Sequence, residues 1–104
     1  MKKIFVSVPM NGKSFEEINK LIHKTELEYL TNDNGIEEIE FVHNNDGLVE
    51  KILDPNKAKI PNLIYLAIAM YRMANCDDVI FAKGWENARG CRVEKLIYDL
   101  YFNK

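Results

Sequence analysis

The sequence has no long apolar run, no charge excess, few cysteines and no glycine-rich tract, and each absence removes a class of protein. The longest apolar stretch, 63–70, includes Tyr65 and stops far short of the roughly 20 residues that span a bilayer. Acidic and basic side chains nearly balance, 16 against 14. The net charge of -2 gives no general attraction to nucleic acid or an anionic membrane. Two cysteines, Cys76 and Cys91, are too few and too scattered for a disulfide framework or a zinc site, so reduced thiols of a cytoplasmic protein are expected. His43, with no cysteine or carboxylate at ligand spacing, reads as solvated or loop-anchoring; no metal and no cofactor are expected. There is no repeat and no low-complexity tract.

What remains is one domain, 1–104, with 47% hydrophobic residues spread along the whole chain, which excludes disorder. Met1-Lys2-Lys3 before an apolar run imitates a signal peptide. That run ends at Pro9, a charged helix follows, and no small-residue cleavage site appears, so a mature cytoplasmic N-terminus is expected.

Residues 4–8, β-branched and aromatic, predict a buried first strand, and 9–13 a loop. Ser14-Phe15-Glu16-Glu17 is a capping box, opening a helix to about Leu30 with Ile18, Leu21, Ile22, Thr25 and Tyr29 at helical spacing. Asn32-Asp33-Asn34-Gly35 stops it. Residues 39–43 read as a second strand, 44–47 as a turn, 48–53 as a short helix and 54–59 as a polar connection. Pro61 suits a first helical position, and 62–75 is a helix apolar nearly all round, which calls for cover on more than one side. A third strand over 78–82, a loop over 83–87 and a last helix from Ala88 complete the chain. That helix carries Val93, Leu96, Ile97, Leu100 and Tyr101. The alternation predicts a parallel sheet with right-handed crossovers, and ligands on such sheets bind beyond the carboxyl ends of the strands.

Asn11-Gly12-Lys13-Ser14 imitates the end of a phosphate-binding P-loop. The position five residues before Gly12 is Ser7 instead of glycine, so no glycine-rich arc can wrap a triphosphate, and Ser14 serves as a helix cap. The third loop says more. Gly84, Trp85, Asn87, Ala88, Arg89 and Gly90 lie between a strand and a helix that carries Glu94 about one turn in, three residues after Cys91. Glycine lets backbone approach a ligand, and a helix N-terminus offers free amides to an anion. Glu94 there suits a nucleophile, a base or a sugar-hydroxyl acceptor; on its own the favoured reading is a solvated helix glutamate.

The segments Ile4-Phe5-Val6-Ser7-Val8-Pro9-Met10-Asn11-Gly12, Cys76-Asp77-Asp78-Val79-Ile80-Phe81 and Gly84-Trp85-Glu86-Asn87-Ala88-Arg89-Gly90-Cys91-Arg92-Val93-Glu94 together resemble the nucleoside 2-deoxyribosyltransferase-like superfamily, in its small bacterial and phage branch. The resemblance covers both ends of the chain and leaves residues 30–60 weakly matched. It implies a small three-layer, flavodoxin/Rossmann-like α/β fold with a short parallel sheet of three strands, with room for a minimal fourth, flanked by helices. It implies N-glycosidic bond cleavage or exchange on a deoxynucleoside or its 5'-monophosphate, with Glu94 as nucleophile and no metal. Asp77, Asp78 and Glu86 are the candidate proton donors, with Asp78 placed beside Glu94 as catalytic. Pro9, Met10, Asn11 and the six residues named in the third loop are the candidate substrate contacts, and a homo-oligomer is implied.

Four positions depart from the family pattern: Phe5 stands where an orienting tyrosine is expected, Val8 for a glycine, Met70 for an aspartate and Ala88 for a serine. Two other readings therefore stand beside the enzyme. One is a nucleotide-binding module without turnover, and the other a structural accessory protein on the same fold.

Overall fold

The computed structural model describes residues 1–32 and 38–102. The elements are β1 (Lys2–Ser7), α1 (Phe15–Asn32), β2 (Ile39–Val42), α2 (Leu48–Ile52), α3 (Pro61–Ala74), β3 (Asp78–Phe81) and α4 (Arg89–Tyr101). Short 3₁₀ turns at Pro55–Lys57 and Trp85–Asn87 sit in the connections. The stop read at 32–35 falls, past Asn32, outside the described residues. No fourth strand occurs among the described residues.

The three strands form one parallel sheet in the order β2-β1-β3. Lys2 pairs with Ile39 on one side, and Ile4 with Asp78 on the other. The chain thus steps outward from β1 to β2, then crosses β1 to reach β3. The switch point of the sheet lies between β1 and β3, where ligands of such folds bind beyond the carboxyl ends.

Strand periodicity splits β1 between two cores. Val6 and Val8 face α1 and pack with Ile18, Ile22 and Ala82. Phe5 faces the other way, against Ala69 and Met73 of α3 and Val79 of β3, with Ile97 and Tyr98 of α4 at the edge. Helices therefore cover both faces of the sheet, giving three layers.

The capping box forms as read: the Glu17 amide donates to Ser14 Oγ, and the Ser14 amide donates to Glu17 Oε1, each at 3.1 Å. In α1 the helical spacing holds, with Ile18, Ile22 and Thr25 buried. In α4 the apolar spacing points elsewhere. Its buried residues are Cys91 and Glu94, whereas Val93, Leu96, Leu100 and Tyr101 are exposed. The nearly all-apolar α3 likewise buries only Ala69 and Met73.

Met73, 1% exposed in the second core, and Leu27, 66% exposed on α1, set a contrast. Met73→Ala is expected to lower unfolding stability by about 2–5 kcal/mol. Leu27→Ala is expected to shift it by no more than about 0.5 kcal/mol. Urea unfolding followed by far-UV circular dichroism measures both.

Candidate functional site

β1 ends on Ser7, whose side chain shares the face of Phe5 and is 1% exposed. From that face α4 packs over the sheet, and Cys91 and Glu94, three residues apart, both turn inward. Ser7 Oγ donates a hydrogen bond of 2.5 Å to Glu94 Oε1, joining positions 87 residues apart in the chain. Burial pushes the Glu94 carboxyl up from 4.5 to about 7, and the Ser7 hydroxyl pulls the other way. Near neutral pH this group is divided between acid and carboxylate. Burial also pushes the Cys91 thiol up to about 11, with Ser7 again opposing, so Cys91 is a protonated thiol beside the carboxyl.

Two loops flank this cluster. Pro9 is buried two residues after β1. Gly84, after β3, has a left-handed φ of 92°, and a Cβ there would stand 3.8 Å from Pro9 Cγ. The loops therefore touch, and Gly84 meets a backbone conformation that other residues rarely adopt. Trp85 leans on Phe81, the rings tilted at 51° with centroids 5.6 Å apart. Lys95 Nζ lies 5.1 Å from the Tyr98 ring centroid, 5.9 Å from Phe81 and 6.0 Å from Trp85, and is ion-paired to Asp99 at 2.6 Å. Ala88 precedes α4 without offering a side-chain cap to its first amides.

Of the residues predicted from sequence, the structure brings Glu94, Pro9, Gly84, Trp85 and Ala88 to the carboxyl end of β1 and β3. Asn11 and Asn87 are exposed on the same loops, and Arg89 and Gly90 are exposed in the first turn of α4. Met10 turns instead toward the α1 core. Asp78 is not brought to Glu94. It pairs in register with Ile4 while Phe81 pairs with Ser7, which puts Asp78 three residues down β3, roughly 10 Å away along the strand. There its Oδ1 accepts from the Val79 amide at 2.9 Å. Asp77 is at that same amino end, accepting from the Lys3 amide at 2.8 Å. Ser7 is the residue the sequence reading missed. A lone hydroxyl in an otherwise apolar, doubly covered strand was its signal, since a buried polar group needs a partner.

The loop after β2 is polar for structural reasons. Asn44 Nδ2 donates to the Tyr65 carbonyl at 2.9 Å, and Asn45 Nδ2 to Asn19 Oδ1 at 3.0 Å, pinning the loop to α3 and α1. Arg72 donates to the His43 carbonyl and pairs with Asp46 at 3.0 Å. Burial pushes His43 below its ordinary range, and its Nδ1 accepts from the Asn45 amide at 3.1 Å, a neutral loop anchor. Among the described residues no three histidine, cysteine or acidic side chains lie placed to share a metal ion, and no helix is long and apolar enough to cross a membrane. No family model, no curated protein and no solved structure matches the chain.

Glu94 makes stability fall as pH rises. Its folded-state value, about 7, lies above the 4.5 of an unfolded glutamate, so the folded form holds the proton more tightly. The contribution is complete below pH 4.5 and is lost as pH rises toward 7, a change of about 3 kcal/mol. Glu94→Gln, which cannot ionise, is expected to lack this limb in urea unfolding between pH 4.5 and 8.

Proposed function

We propose that the chain cleaves or exchanges the N-glycosidic bond of a deoxynucleoside or its 5'-monophosphate, with Glu94 as nucleophile. The hydrogen bond from Ser7 to Glu94 carries this reading. It fixes a carboxyl at the carboxyl end of the central strand, at the switch point of a parallel sheet, where ligands of this architecture bind. A carboxylate held by one hydroxyl and otherwise desolvated is suited to meet positive charge developing at an anomeric carbon.

In the first step the bond from the anomeric carbon to the base nitrogen breaks and a carboxylate oxygen of Glu94 forms an ester with that carbon. The departing base takes a proton. In the second step water or another base displaces Glu94. The backbone of the two touching loops, with the uncapped first amides of α4, holds sugar and phosphate. With Asp78 at the other end of β3, water supplies the proton, so bases that leave without protonation react best.

Phe5, Met70 and Asp78 favour a second reading, nucleotide binding without turnover. Phe5 is sealed in the core, Met70 lines the groove between α3 and α4, and Asp78 is remote. None of them hydrogen-bonds the Glu94 carboxyl, whose side-chain partner is Ser7.

Chromatography of free base released from a panel of deoxynucleosides and 5'-monophosphates tests both. Release is expected, fastest from 7-methyl-2'-deoxyguanosine, whose base departs uncharged without a proton, and absent in Glu94→Ala. Ser7→Ala is expected to lose about 10- to 100-fold, the worth of one hydrogen bond to a charged group, with Ser7→Thr closer to the parent. Saturable nucleotide binding with no release in any variant would select the second reading.

A further inference from the structure

A nucleophile must touch the carbon it attacks, yet Glu94 is 8% exposed and its partner Ser7 1%. The site is shut, and the strand register identifies what closes it. Phe81 pairs with Ser7, so it stands one strand over on the same face of the sheet, about 5 Å away. Trp85 packs on Phe81, which brings the indole to the flank of the Ser7–Glu94 bond. Pro9 meets Gly84, and the two loops close over the strand ends.

The two loops are not held alike. In the first, Pro9 is buried and Met10 packs into the α1 core. In the second, Glu86 and Asn87 are exposed, and the amides of Trp85, Asn87 and Ala88 bond back to Ala82, Gly84 and Trp85. Ala88 adds no side-chain cap to α4, and Gly84, with its left-handed backbone, is a ready hinge. Trp85 is the side chain that ties this turn down, and Lys95 holds it. The Lys95 ammonium lies over the rings of Tyr98, Phe81 and Trp85, at 5.1, 5.9 and 6.0 Å, and Asp99 fixes it at 2.6 Å. One cation thus joins the turn and the end of β3 to the helix that carries Glu94. We propose that Lys95 is a positioning residue of the Glu94 site: its ammonium latches the Trp85 turn shut, and swinging of that turn about Gly84 admits the substrate. The latch rests on Glu94 being the reacting group, and the two are tested apart.

Cys91 supplies a probe that needs no turnover. It is 3% exposed on the same inward side of α4 as Glu94 and nearer the turn, whereas Cys76, ahead of β3 at the opposite end of the sheet, is half-buried. Alkylation of the full chain by iodoacetamide is read from peptide masses. In the parent it is expected to be slower at Cys91 than at Cys76, and at Cys91 indifferent to dilute urea, because a local opening exposes little surface. Lys95→Met, which keeps the stem and removes the charge, is expected to speed Cys91 roughly 3- to 10-fold and leave Cys76 unchanged. Lys95→Arg is expected to keep the parent rate, and Lys95→Met to add nothing in a Trp85→Ala chain. A Cys91 rate unmoved by Lys95→Met, an equal rise at both thiols, a steep urea dependence in the parent, or Lys95→Arg as fast as Lys95→Met overturns the latch. The expected labelling with no base released from any substrate instead faults Glu94 as nucleophile, and leaves Lys95 as the latch over the Ser7–Glu94 cluster.

Discussion

A strand with neighbours on both edges and helices on both faces leaves no side on which a polar group meets water. β1 is that strand here, buried without interruption from Ile4 onward. Three of its residues in this stretch, Ile4, Phe5 and Val6, are apolar and two cores result. Ser7 cannot satisfy its hydroxyl among them, and an unpaired buried hydroxyl costs about 1–3 kcal/mol. The Glu94 carboxyl, itself 8% exposed, has the complementary need. Each resolves the other, and the bond fixes α4 against the head of the sheet.

Local signals were readable in the sequence because their physics is local. A capping box satisfies amides within one turn, and Pro61 fits a first turn whatever lies around it. The alternation of strands and helices was legible for the same reason, and with handedness it leaves few sheet orders. Two things were not legible. The periodicity of α4 shows that an apolar stripe exists but not which surface it meets, and the sheet receives Cys91 and Glu94 instead. The partner of Ser7 lies 87 residues on, beyond any spacing rule.

The candidate site was legible in part for a related reason. Gly84, Trp85 and Glu94 sit where a strand-loop-helix turn must put them, at the carboxyl end. Asp78 was misjudged by position along one strand: the first residue of β3 lies at the opposite end from its last, so nearness in sequence to the site loop gave no nearness in space. The asparagines after β2 looked like turn formers and are braces as well, tying α1 and α3 through one loop.

Trp85 is the chain's single tryptophan, and it stands half-buried in the loop joining β3 to α4, against Phe81 and near the Lys95 ammonium. An indole so placed is an optical gauge already built in. Its emission colour follows how much water the loop admits, and its brightness follows the distance to the cation. Any event that lifts or presses that loop is therefore visible in the fluorescence of the unlabelled protein.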